Sequence, residues 1–225
     1  MTPWTLLDSA AVPGSGGELR LYQRAAEFSI TVVGQGELMN SRVHGSEDAL
    51  AEHTCARLVD CIRPRLLIGG LGMGFTLAAA LRHVGEQAQV EVAEIVPAVV
   101  AWNRGPLGEP AGHPLQDPRV TVREGDVARI LTAGQNAYDA ILLDVDNGPE
   151  GLTRKENDWL YSLNGLNAAY AALRPQGVLA VWSAGPDRDF LQRLRKVGFR
   201  VDEVRVRAHG SKGARHIIWF ARREV

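Results

Sequence analysis

The feature that most constrains this chain is a turn of glycines that follows directly on a short apolar segment. Residues 66–68 are Leu-Leu-Ile, and the next six read Gly-Gly-Leu-Gly-Met-Gly, before a helix predicted over residues 75–84. Glycines remove side chains from the path of a ligand, so such a turn brings backbone N–H groups close to a bound group. The sequence therefore predicts a ligand-binding loop between a buried strand and a helix.

The spacing of these glycines separates two kinds of nucleoside site. A dinucleotide fingerprint, G-x-G-x-x-G/A, that starts at Gly70 would have its last glycine at Phe75, so the loop fits a nicotinamide or flavin site poorly. The G-x-G-x-G loop of methyltransferase-type folds fits well. The predicted cofactor-binding glycines are Gly69, Gly70, Gly72 and Gly74. A purely structural turn is the alternative.

The rest of the chain predicts the architecture around this loop. Short apolar runs at residues 66–68, 90–93, 120–122, 140–143 and 178–182 alternate with helical segments, among them 158–173 and 187–197. This alternation is typical of a parallel sheet covered by helices on both faces. Two β-like runs, 199–206 and 216–221, predict a terminal hairpin.

These patterns define a fold class and two domains. We predict an α/β fold, a Rossmann-like class I methyltransferase sandwich whose mostly parallel sheet ends in an antiparallel hairpin. Residues 1–44 are predicted to form a small antiparallel β appendage, and residues 45–225 the cofactor-binding catalytic domain. A helix with Ser46 as its N-cap opens the second domain.

Composition excludes several classes of function. No run approaches the roughly 20 apolar residues that cross a bilayer, and the start lacks a basic region followed by a long apolar segment. We therefore predict a cytoplasmic protein without a membrane partner. The net charge of -1 argues against a nucleic-acid partner, although residues 193–223 are rich in arginine. Two cysteines without paired histidines supply no ligand set for a structural metal.

Three acidic residues follow the predicted strands. Glu94 closes the second strand, Asp126 follows the third, and Asp144 ends the fourth. Ligands of open α/β sheets bind at the carboxyl ends of the strands, where a carboxylate can accept hydrogen bonds from both ribose hydroxyls. Each acid alone has a second interpretation as a helix cap or a loop charge. Together they predict a nucleoside site.

The residues around these acids resemble the spermidine synthase family of aminopropyltransferases. Residues 68–74 take the place of the family's I-G-G-G-D-G-G loop and 92–95 that of its V-E-I-D segment. Residues 117–126 are similar to its D-P-R-V…G-D stretch and 138–144 to its Y-D-V-I-I-x-D strand. The similarity covers nearly the whole chain and is best over 46–177.

The resemblance implies a cofactor, S-adenosylmethionine or its decarboxylated form, and a role for each matching acid. It implies that Glu94 binds ribose, that Asp126 with the adjoining Val127 binds adenine, and that Asp144 is catalytic and contacts the cofactor. Dimers are common among relatives of this family, so a homodimer is an open alternative.

The chain departs from the family at the acceptor. The family's loop aspartate, which helps to hold the aminopropyl amine, is Gly72 here. At the positions of the family's D-S-S-D loop this chain has Asp-Val-Asp-Asn, so Asp146 and Asn147 are the polar residues that remain after Asp144. At the positions of the family's Y-H-E segment it has Leu-Ala-Glu, so only Glu52 matches. We predict Glu52, Asp146 and Asn147 as acceptor-binding residues. An aromatic wall for a polyamine is missing from this set.

Three further residues and one segment are candidates near the site. Glu47 is a second candidate on the helix that carries Glu52, and residues 148–151 would form a short gate. Trp182, at the end of the fifth strand, either lines the acceptor site or belongs to the core. His216 opens the last strand, where we assign it a structural role.

From these residues we favour methyl transfer to an amine-containing small molecule, with Asp144 as base or orienting group. An aspartate at position 72 would repel the carboxylate of intact S-adenosylmethionine, whereas glycine removes that repulsion and offers an N–H. The first alternative is aminopropyl transfer from decarboxylated S-adenosylmethionine to a diamine. The second is a non-catalytic nucleoside-binding protein. An RNA-modifying transferase that uses the basic C-terminal region is disfavoured because aromatic residues are not interleaved along it.

Overall fold

In the computed structural model, which describes residues 2–14, 17–58, 60–145, 158–209 and 212–224, the chain begins with an antiparallel sheet. Its four strands, in sheet order, are β1 (Thr5–Ala11), β2 (Glu18–Arg24), β3 (Glu27–Val32) and β4 (Gly36–Asn40). Alternating residues of β2 and β3, such as Leu21 and Ile30, are buried in the same core as the larger sheet that follows. The N-terminal sheet therefore packs directly on the rest of the chain.

The second sheet has seven strands in the order β10-β11-β9-β8-β5-β6-β7. The strands are β5 (Arg65–Gly69), β6 (Gln89–Glu94), β7 (Val120–Glu124), β8 (Tyr138–Leu143), β9 (Leu173–Ser183), β10 (Phe199–His209) and β11 (Lys212–Arg223). Strands β5 to β9 pair in parallel, and β11 pairs antiparallel with both β9 and β10. This arrangement confirms the predicted α/β fold, its parallel sheet and its terminal hairpin.

Helices cover both faces of this sheet. They are α1 (Gly45–Cys55), α2 (Phe75–His83), α3 (Pro97–Arg104), α4 (Gly108–Ala111), α5 (Val127–Ala133), α6 (Asp158–Tyr161), α7 (Leu163–Ala172) and α8 (Arg188–Val197), with a 3-10 turn at Pro114–Gln116. Helices α1 to α3 pack with the N-terminal sheet on one face, and α5, α7 and α8 pack on the other. Because side chains alternate along a strand, successive buried residues of the large sheet belong to the core on one face or to the core on the other.

A hydrogen bond also joins the N-terminal sheet to the large one. Trp102 Nε1, buried on α3, donates to Asp8 Oδ2 on β1 at 2.7 Å. The predicted division of the chain at residues 44 and 45 stays a prediction; in the structure this point lies between β4 and α1.

Two local predictions are wrong. The helix predicted over residues 158–173 is divided into α6 and α7, because Ser162 has extended backbone and caps α7 through a hydrogen bond from Gly165 N. Ser46 is not an N-cap, since α1 begins at Gly45 and the Ser46 hydroxyl donates to Glu47 Oε2 at 2.7 Å. Within the described part of the chain, no helix combines the length and the apolar character that a membrane span needs.

Candidate active site

The glycine turn between β5 and α2 has a backbone that only glycine adopts readily. Gly70, Gly72 and Gly74 have φ angles of 89°, 51° and 82°, all in the left-handed region. A Cβ on Gly70 would overlap the carbonyl oxygen of Asp144 and lie 3.1 Å from its carbonyl carbon. Gly69 lies below the turn, where it accepts a hydrogen bond from Asp144 N at 2.9 Å. The glycines thus let the turn and the end of β8 approach each other closely.

Glu94 is the buried carboxylate that holds this turn in place. Its Oε2 accepts a hydrogen bond from Leu71 N at 2.9 Å, and its Oε1 accepts one from Val96 N at 2.9 Å. Burial raises the pKa of Glu94, while bonds from these groups and from the N–H groups of Gly72 and Ile95 oppose the rise. The Gly72 N–H therefore lies near enough to the Glu94 carboxyl to affect its pKa.

Asp126 is a helix cap, one of the two interpretations that the sequence left open, and it also lies at a cavity. It is the N-cap of α5, where its Oδ1 accepts a hydrogen bond from Ala128 N at 2.8 Å. It also lines a cavity at the carboxyl edge of the sheet, together with the buried Val127. Capping uses one carboxylate oxygen, and none of the hydrogen bonds found among the described residues uses the other.

This cavity lies between the N-terminal sheet and the carboxyl ends of β5, β6 and β8. The N-terminal part contributes an apolar wall that consists of Val12, Leu19, Ile30, Val32, Leu38 and Met39. The opposite wall is the edge of the large sheet. Among the described residues that line the cavity, the charged side chains are Glu94, Asp126 and Asp144, and all three are carboxylates. The cavity therefore combines an apolar wall with an edge of acidic residues.

Asp144 is held by a hydroxyl from the neighbouring helix. Thr76 Oγ1, in the first turn of α2, donates to Asp144 Oδ2 at 2.6 Å. Burial, reinforced by the negative charge of Glu47, raises the pKa of Asp144 to about 7. A carboxylate of this kind exchanges its proton near neutral pH, as a general base does.

Glu47 reaches this region from the first turn of α1. The His44 ring stacks on Phe75 with 4.2 Å between the centroids, which places the start of α1 against the start of α2. Burial raises the pKa of Glu47, and the hydroxyl of Ser46 opposes the rise. Two carboxyl groups with raised pKa values therefore lie close enough to influence each other.

The structure separates the remaining sequence-based candidates. Glu52 is exposed on α1 and does not line the cavity, whereas Glu47, five residues earlier, is the carboxylate that acts on Asp144. Asp146 and Asn147 lie outside the described residues, as does the gate predicted over 148–151. Sequence reasoning missed Thr76, although a hydroxyl in the first turn after the glycines was the available signal. It also missed the apolar wall, which carries no motif.

The fold and the cavity define a class of protein. A glycine turn after the first strand of the large sheet, a buried acid at the end of the second and the order β10-β11-β9-β8-β5-β6-β7 belong to the class I methyltransferase-like fold. Residues 53–187, more than half of the chain, match the model of the spermine/spermidine synthase domain. The chain belongs to this family and is an S-adenosylmethionine-type transferase.

Solved structures support the fold. The spermidine synthase from Thermotoga maritima superposes with a TM-score of 0.77 at 17% sequence identity, covering 98% of this chain and 73% of that one. A spermidine synthase in complex with the transition-state analogue AdoDATO gives 0.76, with the same identity and coverage. A probable spermidine synthase from Corynebacterium glutamicum gives 0.65 at 16% identity, covering 97% and 79%. A sequence search of curated proteins gives no significant match.

The family supports our first alternative, an aminopropyltransferase-like function, better than the methyl transfer that we favoured from the sequence. Methyl transfer is not confirmed. The comparisons do not decide between S-adenosylmethionine and its decarboxylated form, so the choice of donor depends on the chemistry of the cavity.

Proposed function

We propose that the protein transfers an aminopropyl group from decarboxylated S-adenosylmethionine to an amine acceptor. The charge of the cavity carries this proposal, because the charged side chains described along it are Glu94, Asp126 and Asp144. The decarboxylated donor presents only cations, a sulfonium and an ammonium. Intact S-adenosylmethionine adds a carboxylate, and no cationic side chain is among the described residues that line this cavity to receive it.

The donor's nucleoside would occupy the described cavity. Glu94 would accept hydrogen bonds from the ribose hydroxyls, and Asp126, with Val127 beside it, would bind the adenine amino group. The glycines of the turn from Gly69 to Gly74 place no side chain of their own in the path of the nucleoside. The apolar wall of the N-terminal sheet would cover it and exclude water, which strengthens the attraction between the acids and the donor's cations.

Asp144 would manage the proton of the acceptor. An amine attacks only when it is neutral, so Asp144 takes the proton that the acceptor nitrogen loses. A new C–N bond forms as the bond between the propyl carbon and the sulfonium sulfur breaks, and methylthioadenosine leaves. The protein's main contributions are alignment of the two substrates and a negative charge beside the cationic centre.

Methyl transfer stays a second candidate because of Gly72. The family's loop carries an aspartate at this position, and its absence removes one carboxylate that would oppose intact S-adenosylmethionine. The space is partly filled, since Met39 Sδ lies 3.2 Å from where a Cβ at residue 72 would be. Met39 is neutral and offers the donor's carboxylate no cation. The charge of the cavity therefore outweighs the effect of Gly72, and aminopropyl transfer remains the preferred function.

The donor preference is testable by calorimetric titration with both forms of S-adenosylmethionine. We expect the decarboxylated form to bind about tenfold or more tightly, because each 1.4 kcal/mol of charge discrimination gives a factor of ten. Asp126→Ala should weaken both, and Asp126→Ser, which retains a capping oxygen, separates the loss of the cap from the loss of the adenine contact. Tighter binding of the intact form would contradict aminopropyl transfer, and tight binding without turnover would favour the nucleoside-binding alternative.

A pH profile tests the influence of Glu47 on Asp144. In Glu47→Gln the negative charge disappears, so we expect the pKa of Asp144 to fall and the acid limb of the kcat profile to move to lower pH. His44 and Asp48 are the other titratable groups beside Glu47, and Asp48 is paired with Arg82 at 2.9 Å.

The exposed Glu86→Gln carries the same substitution at a distance and should leave the profile unchanged. An acid limb that stays in place in Glu47→Gln would show that Glu47 does not set the proton affinity of the catalytic carboxyl.

A further inference from the structure

Asn103 is a buried amide that joins α3 to the glycine turn. Its side-chain Nδ2 donates to the carbonyl oxygen of Gly72 at 2.8 Å and to that of Val99, one helical turn earlier, at 2.9 Å. The residue is only 1% exposed. An amide nitrogen has two hydrogens, and both are used on carbonyl oxygens. The reverse orientation would place Oδ1 against two acceptors, so the two bonds fix the direction of the whole amide.

The amide oxygen of Asn103 points toward another glycine of the turn. A Cβ on Gly74 would come within 2.8 Å of this Oδ1. Oδ1 is buried and has no hydrogen-bond partner among the described residues. Unpaired buried acceptors cost free energy, and native proteins pair most of them. An apolar side chain of similar size would avoid this cost, so the stability of α3 does not explain an asparagine here.

The two halves of the turn are held from different elements. The first half is held from β6, where Glu94 accepts the hydrogen bond from Leu71 N. The second half is held from α3 by the bond from Asn103 to the Gly72 carbonyl. Gly72 lines the cavity at the sheet edge, and a glycine has more backbone conformations available than any other residue. The bond from Asn103 therefore restricts a flexible part of the cavity wall to one conformation.

We propose that Asn103 is a positioning residue for the donor, which fixes Gly72 and Gly74 in the conformation against which the nucleoside binds. Asn103 does not line the cavity and touches no reacting atom. Without its bond to Gly72 the turn populates other conformations, and the apparent affinity falls with the fraction that can bind. The inference rests on the proposed function in one respect, namely that a nucleoside occupies this cavity.

Titration with methylthioadenosine tests this role by calorimetry. The probe contains adenosine and sulfur but neither the carboxylate nor the ammonium of a donor, so its binding does not depend on which donor is used. Asn103→Leu keeps the bulk of the side chain and removes the bond to Gly72. We expect its Kd to rise about tenfold and the donor KM to rise by a similar factor, while kcat changes less than about threefold. Asn103→Ser is the second variant if Asn103→Leu unfolds, and it should weaken binding in the same way.

Amide hydrogen exchange of the unliganded protein gives a readout that needs no ligand. Gly74 N donates to the Leu71 carbonyl within the turn at 2.8 Å. We expect the amides of Leu71 and Gly74 to exchange at least about fivefold faster in Asn103→Leu, because the turn opens more often. Asn167→Leu is the matched control. Asn167 is exposed on α7, and its Nδ2 donates to the carbonyl of Leu163, four residues earlier, as Asn103 does to Val99. This control should leave both the exchange and the Kd unchanged.

A double-mutant cycle tests the contact between Asn103 and Gly74. In Gly74→Ala the new Cβ meets Asn103 Oδ1, and in the Asn103→Ala background this oxygen is absent. The strain from the φ of 82° at residue 74 is the same in both backgrounds. We therefore expect the double variant to lose less nucleoside affinity than the product of the two single losses.

The outcomes separate this inference from the proposed function. Unchanged methylthioadenosine affinity and unchanged exchange in folded Asn103→Leu would overturn the inference, even if aminopropyl transfer is measured. A weaker Kd in that variant, together with methyl transfer by wild type, would refute the proposed function and retain the inference. Failure of wild type to bind methylthioadenosine would overturn both.

Discussion

Substitution of Asp144 by asparagine should lower kcat by about 10²–10⁴, the usual contribution of a positioned general base. Asparagine keeps an oxygen that can accept the hydrogen bond from Thr76 Oγ1, so the local geometry is retained while the proton acceptor is lost. Initial rates of methylthioadenosine release, with both substrates saturating, measure the effect. A decrease below about threefold would contradict a role for Asp144 as base.

The same variant gives an independent stability readout. In the folded protein the pKa of Asp144 is raised from 3.8 to about 7, so the folded state binds more protons than the unfolded state between these values. Stability due to this group is therefore lost as pH rises through that window. Asp144→Asn removes this cost, and we expect its Tm at pH 8 to equal or exceed that of wild type. Asp60→Asn, an exposed control with the same substitution, should change neither kcat nor Tm.

Alanine at Gly70 should disrupt the cavity itself. The residue has a φ of 89°, and the added Cβ would overlap the carbonyl oxygen of Asp144, which is backbone and cannot rotate away. Either the turn or the end of β8 must move, and a displacement of about 1 Å near a reacting centre can cost about 10² in rate. We expect kcat/KM to fall at least about 100-fold and donor binding to weaken in calorimetry.

Gly34→Ala separates backbone strain from the overlap. Gly34 has a φ of 80°, similar to that of Gly70, but nothing lies within 4 Å of the position of its Cβ. It should show only the cost of the left-handed conformation, about 1–2 kcal/mol, which corresponds to a decrease in Tm of about 2–8 °C for a chain of this size. If Gly70→Ala is no more destabilised than Gly34→Ala and retains activity, the close approach to Asp144 is unimportant.

Motifs that depend on local backbone could be predicted from the sequence. The glycine turn and Glu94 are separated by one strand–helix–strand unit, whose geometry is fixed by short-range pairing, so their association was predictable. Strand positions were recognisable because buried parallel strands are continuous apolar runs. The break between α6 and α7 was missed because Ser162 reads as an ordinary helix residue until its hydroxyl caps the following turn.

Contacts between distant elements could not be predicted in the same way. The sequence favoured Glu52 over Glu47, since only Glu52 matched a motif, but the packing of α1 exposes Glu52 and brings Glu47 to Asp144. The surroundings of the Gly72 N–H also depend on tertiary structure, because Glu94 approaches it from the neighbouring strand. Trp182 and His216 meet only because β11 inserts beside β9, a pairing that sequence spacing does not reveal.

The hydrogen bond from Trp102 to Asp8 is one of the described links between the two sheets, and the apolar wall of the donor cavity belongs to the smaller one. A nucleoside bound in that cavity would contact both sheets at once, so it would help to hold them together. Its binding free energy would add to the cohesion of the whole molecule, by about 2.7 kcal/mol when the ligand is present at 100 times its Kd. The N-terminal sheet would then be harder to separate from the large sheet in the loaded enzyme than in the free one.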